Sequence, residues 1–255
     1  MQLLFLSALI VMLTHLLEGI AGFGGAVMAL PFLNLTIGLE RAVHLLCLLG
    51  SLMSLYIVLR SGKHINLKEF SFIALFSGCG LPLGLWLFAY LPALQLCILL
   101  GFFMIAVGVH GVLRHRNASG NATPCPSKKS NYLMLFLLFC GGIFQGAFGS
   151  GGPCIVIYSA KNIPQKEQFR ATLSLLWLTM NCCRLGVWSY QGDFWNPDLL
   201  KDFAFILPFM LAGLLIGDCL HRKVNEKLFK SGIYLLLAVS GIIMAVNNFL
   251  RLLQR

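Results

Sequence analysis

The sequence predicts an all-α polytopic membrane protein built from two inverted repeats, each of about four helices plus a glycine-broken or re-entrant segment. Three observations carry this. The 255 residues are 58% hydrophobic and 11% charged, with a mean hydropathy of +0.83, whereas a soluble domain carries roughly 25% charge. A glycine-rich break recurs in each half, IAGFGGAVMALPFL at 20–33 and GAFGSGGPCIVIYS at 146–159. And lysine and arginine collect on one side of the membrane once each break is allowed to enter and return.

Apolar runs cover 2–17, 42–59, 70–90, 93–109, 132–148, 171–183, 203–217 and 231–246, leaving no long polar domain. The first begins MQLLFLSALIVML without the basic n-region of a cleaved signal, and 132–148 is its internal counterpart, so it reads as a retained span. The net charge of +10 lies between the apolar runs and has no aromatic-basic interleaving, which speaks for topology and against nucleic acid. Nine cysteines form no CxxC pair and no Cys/His metal spacing; within apolar runs free Cys packs as a small hydrophobe. The sequence contains no HExxH, GxSxG or GxxxxGK[ST], so no enzyme, metal or cofactor is expected, and transport would have to run on or down gradients.

The halves align co-linearly. Arg41-Ala42 meets Arg170-Ala171, Gly62 meets Gly192, Gly80 and Gly84 meet Gly213 and Gly217, and Gly108 meets Gly241, the offset drifting from 125 to 133. This organisation gives a first repeat at 1–113, a linker at 114–131 and a second repeat at 132–255, all in one integrated transmembrane domain. The linker RHRNASGNATPCPSKKSN is rich in Ser, Asn, Pro and Gly, as an exposed join should be.

Parity decides orientation. With each broken segment as a single crossing, Lys and Arg divide 8 against 10, which is no bias. With each broken segment going in and back, one face receives Arg60, Lys63, Lys68, Arg114, Arg116, Lys128, Lys129, Lys161, Lys166, Arg170, Arg222, Lys223, Lys227 and Lys230. The other keeps Arg41, Lys201, Arg251 and Arg255, and Arg184 lies within a run. Fourteen against four is the asymmetry of the positive-inside rule. It makes the halves inverted and places both termini outside and the central loop in the cytoplasm. The sequons at Asn117 and Asn121 are then incidental.

The candidate substrate site is built on the breaks: Gly22, Gly24 and Gly25 in the first, Gly149, Ser150, Gly151 and Gly152 in the second. Without Cβ the backbone can leave helical geometry, and a freed helix N-terminus offers N–H donors and a positive dipole end to an anion. Non-helical backbone at membrane depth is tolerated where it lines a cavity, and paired interrupted segments point to a midplane site. Close helix packing through small residues is the competing explanation. Arg41 and Arg170 are matched cations at the starts of runs, suited either to an anion or to anchoring at the interface. Arg184 sits deeper, where a charge is costly and tends to be functional unless it snorkels outward. His15 and Glu18 share a helical face before the first break and are candidates for proton coupling; an offset of 125 places Cys140 and Ile143 opposite them. Asp218 is expected to face water, and Thr179, Asn181, Gln145 and Ser150 are candidate neutral ligands.

With these motifs together, nearly the whole chain resembles the sulfite exporter TauE/SafE family of membrane permeases. The resemblance is carried by GIAGFGGAVMALPFL, by GIFQGAFGSGGPCIVIY and by the Arg-Ala starts at Arg41 and Arg170. It implies an integral permease for sulfite, sulfonates or related small anions, often outward. It singles out Gly22, Gly24, Gly25 and Pro31, then Gly149, Gly151, Gly152 and Pro153. The two copies differ: Ala26-Val27 stands where the second has Gly151-Gly152, and Val156 aligns with Pro31.

The expectation is therefore a secondary transporter of small anions, acting as an exporter by alternating access in a cell inner membrane. Its partners would be the anionic substrate and the lipid bilayer, with no nucleic acid; a homodimer is compatible with this size but no residue dictates one. Two rivals remain open: an uncoupled anion channel or facilitator, and a membrane redox or assembly protein using Cys182-Cys183.

Overall fold

The computed structural model describes residues 2–21, 24–117, 128–149, 152–163, 165–192 and 196–220, with Gly241, Ile242, Ala245 and Val246 beyond them. Regular structure among these residues is helical: α1 (Gln2–Ala21), α2 (Gly25–Ile37), α3 (Leu39–Ser61), α4 (Leu67–Tyr90), α5 (Ala93–Asn117), α6 (Lys128–Phe148), α7 (Gly152–Asn162), α8 (Lys166–Gln191) and α9 (Pro197–Leu220), with a 3-10 turn at Gly62–His64. Helix α5 runs on to Asn117 and α6 begins at Lys128, so helix enters the expected linker 114–131 from both sides. The linker's centre and most of the run at 231–246 lie outside the described residues.

Among the described residues, four segments are long and apolar enough to cross a membrane: Gln2–Gly19, Leu39–His64, Leu67–Tyr90 and Pro197–Leu220. Large side chains such as Leu59, Leu75, Trp86, Phe102 and Phe136 stay exposed on the outside of the bundle, as a lipid-facing surface requires. Helix α8 is as long but carries Arg170, Asn181 and Arg184, because it lines the interior. Local signals set the ends: Asn66 caps α4 by accepting the Glu69 N–H at 3.2 Å, and Gly192 ends α8 with φ of 86°.

Both glycine breaks make helical hairpins. Helix α1 spans about 30 Å at 1.5 Å per residue, then α2 returns until Thr36 meets Ser7, hydroxyl to hydroxyl, at 2.8 Å. Helix α6 runs beside α4 in the same direction, Gly142 against Ser77 and Gly146 against Gly84. Helix α7 then comes back to the start of α4, where the Tyr158 hydroxyl donates to Glu69 Oε2 at 3.2 Å and the ring stacks on Phe72.

The halves interlock through matched contacts. A Cβ placed on Gly84 would lie 2.9 Å from Gly146 Cα, and one on Gly217 would lie 3.0 Å from Gly19 Cα. Gly80 abuts the Phe139 carbonyl and Ile143, while Gly213 abuts the Met12 carbonyl and Leu16. Such backbone-to-backbone approach excludes any side chain, so Gly19, Gly142 and Gly146 serve packing, as the small-residue explanation holds. These contacts also correct the register between α1 and α6. They pair Met12 with Phe139, Leu16 with Ile143 and Gly19 with Gly146, an offset of 127, against 125 at the breaks themselves. The first connection, from Gly19 to Gly24, is two residues longer than that from Gly146 to Gly149. Glu18 is therefore matched by Gln145 and His15 by Gly142, in place of Ile143 and Cys140.

Helices α3 and α8 cross antiparallel at the centre. His44 meets Trp188 at 4.2 Å, Cys47 Sγ lies 3.9 Å from the Asn181 carbonyl oxygen, and Thr172 Oγ1 accepts the Asn66 N–H at 3.0 Å.

Candidate functional site

The antiparallel α3 and α8 and the tips of the two hairpins line one open-mouthed cavity. Gly24 and Gly149 both line it, with φ of 97° and 68°. At these positions a left-handed backbone favours glycine, and it lets the chain leave one helix and start the next within a few residues. From α1 come His15 and Glu18, from α6 Gln145, from α3 Cys47, Gly50 and Ser54, and from α8 Ser174, Trp177 and Asn181. The lining runs from Leu46 to Ile57 on α3 and from Asn181 to Ser174 on α8. The cavity thus extends from the middle of the bundle toward the ends that carry Arg60 and Arg170. In the opposite direction His44, Phe88 and Trp188 close together, ring centroids 4.2–5.9 Å apart.

Arg184 lies between this aromatic cluster and the second break. It is 0% exposed, which excludes snorkelling, and its Cζ sits 4.5 Å above the Trp188 ring. A Cβ on Gly149 would collide with Nη1, so the guanidinium bears directly on the break. Nε, Nη1 and Nη2 are all buried with no hydrogen-bond partner among the described residues. A buried cation left without hydrogen-bond partners is expensive to hold, and five N–H donors suit an oxyanion.

The first break differs. A Cβ on Gly25 would overlap Glu18 Oε2, so the chain's own carboxylate occupies the start of α2, a placement the helix dipole favours. His15 Nδ1 lies 2.9 Å from the Val11 carbonyl oxygen. An acceptor there requires Nδ1 to carry the proton, which turns Nε2 toward Glu18 Oε2 at 3.8 Å. Across the cavity Gln145 Nε2 donates to Asn181 Oδ1 at 3.2 Å.

The remaining candidates are placed elsewhere. Arg41 pairs with Asp202 at 2.5 Å and donates from Nη2 to the Asp198 carbonyl at 3.1 Å. Arg170 pairs with Asp218 at 3.0 Å, so that carboxylate has a partner in addition to water. Neither arginine lines the cavity. Thr179 is turned outward and bonds back to the Leu175 carbonyl. Gly152 opens α7, and Gly22, Ser150 and Gly151 lie outside the described residues. Ser54, Ser174 and Trp177 escaped the sequence reading, yet a signal existed. Residues 170, 174, 177, 181, 184 and 188 recur at helical spacing and form one face of α8. Cys182 and Cys183 are free and exposed.

A bundle of apolar helices around an interior cavity that carries polar side chains, entered by two hairpins, defines a multi-pass membrane protein of the transporter class. The family model for Sulfite exporter TauE/SafE matches residues 7–244, and the chain belongs to that family. It is also similar to "Probable inner membrane transporter protein TsaS" of Comamonas testosteroni, 22% identical over 163 residues. That alignment covers 64% of this chain and 65% of the relative, just under two thirds of its length. No solved structure matches.

Proposed function

We propose that this protein is a secondary transporter of small oxyanions such as sulfite or organosulfonates, working as an exporter by alternating access of two inverted halves in the inner membrane. One observation carries the anion: the buried guanidinium of Arg184, without hydrogen-bond partners, lies directly behind Gly149, which lines the shared cavity. Gln145, Asn181 and Ser54 supply neutral polar groups in the same cavity. The relative's name supports an inner-membrane transporter, and the family's name supports sulfite as the first anion to test.

Inversion is supported by α3 and α8. They carry the matched Arg41 and Arg170, yet they cross antiparallel. A two-fold axis along the membrane normal would leave matched helices parallel; an axis in the membrane plane reverses them. Glu18, with His15 beside it, is the proton-coupling residue, because it is a carboxylate in the same cavity as the anion.

Sulfite flux into proteoliposomes, with and without an imposed pH gradient, is the test. Accumulation driven by the gradient is expected in the wild type. An Arg184→Leu protein that transports as well as the wild type would overturn the anion site, and purely downhill flux would favour the facilitator.

A further inference from the structure

We propose that Arg170 and Glu69 form an ionic latch that is open in this structure, and that its closure seals the present mouth of the cavity in exchange for release of Arg41–Asp202 at the other face. This rests on the inverted-repeat reading and names the contacts by which the two states differ.

The register defines the pair. Gly80 and Gly84 of α4 make the same contacts as Gly213 and Gly217 of α9, which fixes an offset of 133 along these continuous helices. Asp202 therefore matches Glu69, as Arg41 matches Arg170. The image of the pair Arg41–Asp202 is Arg170–Glu69.

Only one of the two exists here. Arg41 holds Asp202, whose side chain is 7% exposed, and ties the start of α3 to the start of α9. Arg170 instead holds Asp218, both side chains 31% exposed, and Glu69 accepts from Tyr158. The partners are nonetheless in neighbouring turns: the bond from Asn66 N–H to Thr172 Oγ1 already joins the starts of α4 and α8 at 3.0 Å. The asymmetry agrees with the cavity, which is closed toward Arg41 by His44, Phe88 and Trp188 and extends toward Arg170. If the halves exchange conformations, Arg170 leaves Asp218 for Glu69 and Arg41 leaves Asp202.

The exchange is unequal. By the same registers the image of Asp218 is Leu85 and that of Glu18 is Gln145. Arg170 trades one carboxylate for another, whereas Arg41 gives up the only one it holds among the described residues and leaves the largely buried Asp202 unpaired, a costly state. The arrangement seen here is thus the resting one.

The test uses full-length protein with its natural cysteines replaced, in vesicles of each orientation. Ser54→Cys reports the cavity to an impermeant maleimide, and a short bifunctional thiol reagent bridges a second cysteine pair. Bridging Arg41→Cys with Asp202→Cys should leave labelling from the Arg170 face intact. Bridging Glu69→Cys with Arg170→Cys should abolish labelling from that face and produce it from the other. No bridge between positions 69 and 170, or a bridge that leaves labelling unchanged, overturns the latch. Labelling needs no substrate, so absent sulfite flux would refute the transport reading without touching this result. Should the cysteine pair fail to insert, charge exchange replaces it. Arg170→Glu should lose flux and Glu69→Arg/Arg170→Glu/Asp218→Arg, which reverses both of the pairs Arg170 makes, should regain it; no regain overturns the latch.

Discussion

A guanidinium that is fully buried, stacked on an indole and without hydrogen-bond partners should lower the stability of the empty protein, and on the proposed function a bound anion would offset that cost. Replacement should therefore move stability and activity in opposite directions. Arg184→Leu is expected to keep or raise the melting temperature in detergent while flux falls roughly ten- to hundredfold, the scale of about 1.5–3 kcal/mol for a charged hydrogen bond. A lower melting temperature with unchanged flux would assign Arg184 to structure alone. At Gly24 and Gly149 the positive φ makes a β-branched residue costly, and at Gly149 a side chain also strikes Arg184. Gly24→Val and Gly149→Val should insert normally, scored by surface labelling, and lose transport. Glu18→Gln mimics the matched Gln145 and removes a titratable proton. The expected result is intact downhill flux with no response to a pH gradient; a retained response sends the proton elsewhere. The sequence singled out these residues because glycine clusters, an intramembrane Arg and a His/Glu pair are costly types in an apolar run. Ser54 and Ser174 were missed because serine is cheap there and only its helical phase is informative.

At the level of elements, the glycines divide by contact. Gly84 and Gly146, like Gly217 and Gly19, bring helix backbones together at the α4–α6 and α1–α9 crossings, while Gly24 and Gly149 turn the chain. Gly84→Leu and Gly217→Leu should each destabilise by about 1–3 kcal/mol or more through overpacking, read as a drop in melting temperature. If the repeat holds, the two losses should be similar. The glycine repeats were legible in the chain, but their roles were not, because packing and turning both select the residue without Cβ. Register was legible to within two residues. The connection from Gly19 to Gly24 is longer than that from Gly146 to Gly149, and only the helix contacts show which side of the gap Glu18 belongs to.

At the scale of the whole molecule, the two halves exchange partners, α1 packing on α9 and α6 on α4 around the crossing of α3 and α8. On the proposed inversion, the fourteen-against-four charge count would place the linker in the cytoplasm. A variant retaining only Cys125 should react with an impermeant maleimide from the cytoplasmic side alone; labelling from outside would reverse the assigned orientation. The sequence by itself determined the membrane class, the helix content and the two breaks, because hydropathy, period and glycine spacing are local properties of the chain. Only the tertiary structure decided that both breaks meet in one cavity and that Arg184 faces the second while Glu18 fills the first. It also decided that Arg41 and Arg170 are held by Asp202 and Asp218. Those facts depend on which helices lie side by side, and apolar helices of similar length give no local sign of their neighbours.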